Sequence, residues 1–259
     1  MSAPPYTALV LAGTRPGGDP LAQHAGVSHK ALIEIGGQPM LLRVLRALAA
    51  SPAVSRIVVA IDRADVMDGL PEVGKPVQVV PAAAGPSASV ASVLEREGTP
   101  LLVTTADHAL LEPAWVDEFV AAAARDGAAD AFLAVARREA VLAVAPDTVR
   151  TWLRFSDGAY SGCNLFLLRT PAAAGAVRLW QQMEAERKRP LALLRRLGVS
   201  YVLRYRLGWL GLPQALARLG RLAGTQLSPV VLGNGRAAID VDRAADLDLV
   251  RTMVRDAAS

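Results

Sequence analysis

Charged residues in this sequence stand at the abrupt ends of apolar runs. Asp107 comes just after "LLVTT", and Asp240 and Asp242 follow "AAI". Lys30 closes an irregular stretch rich in Gly, Pro and polar residues. That stretch begins where "TALVLAG" stops, and it carries Arg15 near its start. Carboxylates are hard oxygen ligands, and Mg²⁺ needs only one or two of them when phosphate oxygens complete its shell. Lysine, arginine and backbone N–H groups brought close by glycine supply fixed positive potential for a polyphosphate. Together they suit chemistry on a bound polyphosphate. Charge grows on the leaving oxygens there, and electrostatic stabilisation is usually the largest contribution. Two common phosphate-binding patterns, G-x-x-x-x-G-K-[ST] and G-x-G-x-x-G, are absent from the loop.

Groups so far apart in sequence act together only if the intervening elements converge. Residues 7–12 read as a strand and 39–50 as a helix, with Met40, Leu41, Val44, Leu45 and Leu48 on one face. Strands follow at 56–61, 77–80, 100–105 and 130–136, with helices at 87–97 and 113–125 between them. Continuous apolar strands alternating with helices predict a three-layer α/β fold around an open, mostly parallel sheet. Ligands of such sheets bind beyond the carboxyl ends of the strands, which is where Lys30 and Asp107 fall. Later, 151–168 reads as a hairpin turning at Asp157-Gly158. Helices are expected at 172–186, 190–197 and 212–222, strands at "PVVL" and "AAIDV", and a closing helix at 243–255.

Composition narrows the class. The 259 residues are 52% hydrophobic and 20% charged, an ordinary globular balance. A lone Cys163 excludes a disulfide within the chain and suggests a reducing compartment. No signal-peptide pattern opens the sequence and no apolar run is long enough to span a bilayer, so a cytoplasmic location is expected. Net charge is +4, but between Arg178 and Arg221 ten basic residues face two acids, giving +8 there and −4 elsewhere. No aromatic stacking platform or helix-turn-helix pattern accompanies that charge, so nucleic acid is not the expected partner.

The motif Leu11-Ala12-Gly13, an arginine, Lys30-Ala31-Leu32 and then Ile35-Gly36-Gly37-Gln38-Pro39-Met40 resembles the opening signature of the MobA-like nucleotidyltransferase superfamily. That superfamily includes molybdenum-cofactor guanylyltransferases and sugar-phosphate nucleotidylyltransferases. The family pattern carries a second glycine where this chain has Thr14, and its arginine and lysine stand closer together. Thr104-Thr105-Ala106-Asp107 resembles the family's metal-holding segment. Asp242, four residues before Asp246-Leu247, resembles a late motif that supplies a second ligand. The resemblance implies a Rossmann-like nucleotidyltransferase fold over 1–259, with a basic helical insert at about 172–224. It also implies Mg²⁺-dependent transfer of a nucleotidyl group from CTP or GTP to a phosphorylated acceptor. In that reading Leu11, Ala12, Gly13, Thr14, Arg15 and Lys30 hold the triphosphate, and Arg15, Lys30 and Asp107 are catalytic. The metal falls to Asp107 with Asp242 or Asp240.

Small residues around Ser87 and Ser89 leave room for a flat base, although an N-cap serine would produce the same pattern. Gly162 and Asn164, in a segment like the acceptor-facing strand of sugar-nucleotide pyrophosphorylases, are expected at the acceptor. Cys163 reads as inert packing, and His24, His29 and His108 as structural or solvent-exposed. A nucleotide-sugar glycosyltransferase of similar architecture and a non-catalytic nucleotide-binding regulator are the competing readings. The basic 178–221 segment and the apolar residues Trp209, Leu212, Leu216 and Leu219 suit either a lipid-like acceptor at a membrane surface or a soluble face packed on the sheet.

Overall fold

The computed structural model describes residues 5–14, 17–186 and 198–257. The expected helix at 190–197 lies outside them. Strands β1 (Tyr6–Leu11), β4 (Val54–Ile61), β5 (Val77–Pro81), β6 (Leu101–Thr105), β7 (Ala131–Arg137), β9 (Gly158–Leu168) and β10 (Leu227–Leu232) form a sheet ordered β10-β7-β9-β6-β1-β4-β5. A short strand β8 (Leu153–Phe155) pairs with β9 as the eighth. Pairing is parallel throughout except along β9, which runs antiparallel to β6, β7 and β8. The chain runs outward from β1 through β4 to β5, then returns to β6 on the other side of β1. That reversal opens a crevice beyond the carboxyl ends of β1 and β6.

Alternation along the strands builds two cores. Ala8 and Val10 of β1, Ile57, Val59 and Ile61 of β4 and Leu102 of β6 face one side. There they meet α2 (Met40–Ala50), α4 (Pro113–Arg125) and α9 (Ala244–Asp256) through Leu41, Leu48, Phe119, Leu247 and Val250. Leu9, Val58, Ala60, Leu101 and Val103 point to the opposite face. They pack on α3 (Pro86–Glu97) and α6 (Ala174–Glu186) through Val90, Val93 and Val177. A period of two thus separates the two apolar layers, as a sheet covered on both faces requires.

Five short elements escape the periodicity reading: α1 (Pro20–His24), the two-residue strands β2 (Glu34–Ile35) and β3 (Gln38–Pro39), α5 (Arg138–Val144) and α7 (Val199–Arg206). Gly36 and Gly37 both have positive φ and make the two-residue turn between β2 and β3. The expected strand at "AAIDV" is not formed. Residues Gly235–Ala238 make a 3₁₀ turn packed so closely on α5 that a Cβ at Gly235 would lie 2.1 Å from the Ala140 carbonyl oxygen. Beyond it, Val241 donates its N–H to the Asp107 carbonyl at 3.0 Å instead of joining a ladder. The remaining helix, α8 (Leu212–Ala223), buries Leu212 and Leu216 against Val135 and Tyr160 of the sheet.

Candidate active site

The loop after β1 and the turn after β6 start side by side, because Ala106 donates its N–H to the Leu11 carbonyl at 2.9 Å. Gly13 follows, exposed, beside the end of β5; a Cβ there would crowd Ala82 at 2.9 Å. Glycine therefore lets the loop leave the sheet close to its neighbour. The chain then returns through α1 to a 3₁₀ turn, Lys30–Leu32, which presents Lys30 at the crevice.

His29 caps that turn. Its Nδ1 accepts the Ala31 N–H at 3.1 Å, which leaves the proton on Nε2. Nε2 lies 2.8 Å from Thr14 Oγ1 and 3.2 Å from Asp62 Oδ1. The same Asp62 oxygen accepts the Thr14 N–H at 2.8 Å. One buried imidazole thus ties the glycine loop, the lysine turn and the end of β4 together. Burial opposes the charge of Asp62, but the Thr14 N–H and the His29 ring hold its carboxyl below the usual range. Thr14, the departure from the family pattern, has a structural reason here: its hydroxyl is the loop's link to His29. Arg15 lies outside the described residues.

Lys30 Nζ lies 2.8 Å from Asp107 Oδ2 and 3.2 Å from Asp242 Oδ1. Thr105 Oγ1 donates to the other Asp107 oxygen at 2.6 Å. Lys30 and Asp107 side chains are 18% and 21% exposed, and Asp242 is 64% exposed, so the cluster sits at a mouth open to solvent. Burial opposes the lysine's charge. The two carboxylates outweigh it and raise its pKa above the ordinary value. The 3.0 Å backbone bond between Val241 and Asp107 aligns the two acid-bearing segments.

Asp240 takes a different place. Arg150 bonds one of its oxygens and Asn164 Nδ2 donates to the other at 2.8 Å. Asn164 has φ 48° and sits where the β7–β9 register shifts, so its amide turns toward Asp240. Asp240 and Asp242, separated by the buried Val241, therefore have separate partners. Gly162 is exposed with open space around it. The base-side serines point inward: Ser87 Oγ donates to Glu184 at 2.5 Å, and Ser89 Oγ accepts the Ala83 N–H at 2.9 Å. Neither caps α3, whose N-cap is Gly85. Ala83, Ala84 and Pro86 of this segment are exposed.

Cys163 is buried, and burial pushes its thiol up to about 12, which suits packing rather than nucleophilic chemistry. His24 is exposed, while His108 is buried against Trp115. Burial lowers His108 to about 4, despite the nearby Asp240 and Asp107 carboxylates. Sequence reasoning missed Asp62 and Arg150. Asp62 follows "RIVVAI" as Asp107 follows "LLVTT", so the carboxylate-after-strand signal was present for both.

Asp107 and Asp242 offer oxygen donors to one cation, and an ammonium already lies between them. That donor set fits Mg²⁺ as well as it fits Lys30. Among the described residues, no group of three or more His, Cys, Asp or Glu forms a ready-made metal cage. A cation there would depend on oxygens from its substrate.

Residues 8–202 match the MobA-like NTP transferase domain model. Among curated proteins, none matches the chain. A hypothetical transferase from Thermus thermophilus shares the fold with a TM-score of 0.79 and 33% identity, over 94% of this chain and all (100%) of that one. CMP:2-keto-3-deoxy-manno-octonic acid synthetase complexed with CTP aligns at TM-score 0.59 and 16% identity, over 97% and 99% of the two chains, a likeness of fold. A matched family model over most of the chain, with lysine and carboxylates gathered at the sheet's crevice, places this protein in the MobA-like NTP transferase domain family, as a nucleotidyltransferase.

Proposed function

We propose that the enzyme moves a nucleotidyl group from CTP or GTP to a phosphorylated acceptor, releases pyrophosphate and depends on Mg²⁺. The observation that carries this reading is the Lys30 ammonium held by Asp107 and Asp242 at the mouth of the β1–β6 crevice. The triphosphate would lie along Leu11-Ala12-Gly13-Thr14, with Arg15 and Lys30 toward its phosphates. Asp107 and Asp242 would hold the metal, because Asp240 is already engaged by Arg150 and Asn164. Bound there, Mg²⁺ would neutralise charge on the phosphate oxygens and favour departure of pyrophosphate.

The acceptor phosphate would attack the α-phosphorus in line, with Lys30 stabilising the charge that develops on the leaving oxygens. The lysine must then turn from the carboxylates toward the phosphates, a short movement for a flexible side chain. Gly162 lies open on the hairpin side for the acceptor, and Asn164 would act through its bond to Asp240. The fold relative's complex with CTP keeps CTP beside GTP as a donor. The basic insert at about 172–224 would form the acceptor side.

The test is pyrophosphate release from each of the four common NTPs, with a panel of sugar phosphates and other phosphomonoesters, with Mg²⁺ or with EDTA. Acceptor-dependent pyrophosphate with CTP or GTP, abolished by EDTA, is the expected outcome. Activity confined to ATP or UTP would refute the donor assignment, and activity unaffected by EDTA the metal. Release of a nucleoside diphosphate from a nucleotide sugar would mark a glycosyltransferase instead.

A further inference from the structure

Helix α7 departs from the rest of the molecule in what it shows to solvent. None of its residues is buried. Val199 and Leu203, four apart on one face, are 65% and 55% exposed, and Leu207, four residues further along, is 49% exposed. Trp209 just beyond is 68% exposed. A stripe spaced i, i+4, i+8 normally faces a core. Here the helix turns other residues inward. Tyr205 packs edge-on to Phe155 at 5.4 Å and accepts the Arg154 N–H at 3.3 Å.

The apolar stripe lies in basic surroundings. Residues 198–224 contain Arg204, Arg206, Arg218 and Arg221 and no acid. Arg204 and Arg206, both exposed, follow directly on the stripe's own helix. Apolar residues beside arginines, with no acid among them, are the chemistry of an interfacial helix. Its apolar side enters the acyl boundary while its cations meet anionic headgroups.

Its location ties the helix to the active site. The β8–β9 turn is bonded to the α7–α8 connection, as Ser156 donates its N–H to the Leu210 carbonyl at 2.9 Å and Asp157 accepts the Leu212 N–H at 3.0 Å. The start of β9 pairs with Ala136 and Arg137 at the carboxyl end of β7. The stripe is thus mounted on the hairpin that rises from the same sheet edge as Lys30 and Asp107. The apolar residues of α8, by contrast, are spent on the core, so the surface is carried by 199–209 rather than by Leu212, Leu216 and Leu219.

The geometry points to an interaction surface: α7, with Leu207 and Trp209, docks on an anionic lipid membrane and turns the active-site edge toward it. The inference does not depend on which nucleotide or acceptor the enzyme uses, because its test reads binding. Full-length protein is sedimented with phosphatidylcholine vesicles, with and without phosphatidylglycerol, at low and physiological salt. Wild type is expected to bind only the anionic vesicles and to bind less as salt rises. Arg204→Glu/Arg206→Glu is expected to lose roughly twentyfold or more in affinity. Leu203→Ser/Trp209→Ser, which keeps every charge, is expected to lose about tenfold or more. These side chains are exposed, so melting and circular dichroism unchanged from wild type show that both variants fold.

No binding to anionic vesicles at low salt overturns the proposal, as does equal binding to neutral ones. Binding that depends on the arginines but not on Leu203 and Trp209 marks a general polyanion surface, and also overturns it. So does a dimer in sedimentation velocity that the Leu203→Ser/Trp209→Ser variant abolishes, since a second copy would then cover the stripe.

Discussion

The lysine turn and helix α7 are both short segments at the same edge of the sheet, yet they are held in opposite ways. The turn is fixed from three sides by one buried histidine, and its lysine is bound by two carboxylates. Helix α7 has no buried residue and leaves its apolar stripe uncovered. Transition-state stabilisation needs charges placed before the reaction starts, which demands rigidity. A surface that meets a partner needs exposed complementarity instead. The contrast separates the part of the molecule proposed for phosphate chemistry from the part proposed for contact, and it can be broken at either end.

The largest effect is expected at Asp107. Asp107→Asn keeps the shape and a hydrogen-bond acceptor for Thr105, but removes the charge proposed to hold the metal. Pyrophosphate release should fall at least about a thousandfold, with circular dichroism and melting close to wild type. A folded variant with full Mg²⁺-dependent turnover would refute the assignment. Lys30→Ala should lower kcat about a hundredfold and change the KM for the NTP by only a few fold, because the ammonium acts most strongly as charge moves to the leaving group. A rise in KM alone would make Lys30 a binding residue.

Next comes a pH effect. His108 titrates near 4 in the folded chain and near 6.5 when unfolded, because its burial disfavours the imidazolium. Above pH 6.5 both states are neutral and nothing changes. As pH falls from 6.5 toward 4, the unfolded chain takes up a proton that the folded chain refuses. Stability should drop by up to about 3 kcal/mol from this group. Urea titrations should show that His108→Leu removes this part of the slope; an unchanged slope would mean that other groups dominate acid unfolding.

A smaller effect should follow from loosening the clamp. His29→Ala removes the cap of the lysine turn and the partner of Thr14, at a cost of about 1–3 kcal/mol in stability. It should raise the KM for the NTP by about tenfold, because the glycine loop is then held to Asp62 by the Thr14 N–H alone and is no longer tied to the lysine turn. His29→Gln, which retains a donor and an acceptor, should recover part of that loss. If Gln behaves like Ala in both readouts, hydrogen bonding is not what His29 contributes.

What the sequence revealed divides along the same line. The strands and the long helices were legible because apolar periodicity records burial, and burial dominates in β1, β4, β6 and α4. Lys30 and Asp107 were legible because a charge at the end of an apolar run has few structural uses. The role of Asp240 was not, since its neighbours Arg150 and Asn164 come from elements 90 and 76 residues away and no local pattern records such a meeting. "AAIDV" looked like a strand because Ala237, Ile239 and Val241 are buried, but burial against α5 and the Asp107 turn leaves the same trace as burial in a ladder. Ser87 and Ser89 were ambiguous for a related reason: small polar residues serve equally for ligand contact and for close helix packing. Helix α7 was missed altogether, because its apolar stripe is a single short face with no core to match.

The smallest expected effect tests whether that stripe belongs to the fold at all. Leu203 on α7 is 55% exposed, while Leu216 on α8 is 5% exposed within the Val135–Tyr160 cluster. Truncating a buried leucine removes its transfer free energy and leaves a cavity, so Leu216→Ala should cost about 2–5 kcal/mol. Truncating Leu203 removes little buried area and leaves no cavity. Leu203→Ala should therefore change stability by no more than about 0.5 kcal/mol in either direction, within the range of surface substitutions. Alanine also keeps the helix propensity of the position, so backbone effects do not confuse the comparison. Urea midpoints of the two variants, measured without lipid and at low protein concentration, give the contrast directly. A loss of about 2 kcal/mol or more at Leu203, the least expected of a buried leucine, would mean that the stripe is covered in the free protein. A near-zero loss, beside a large one at Leu216, would leave the stripe as surface whose apolar character folding does not require.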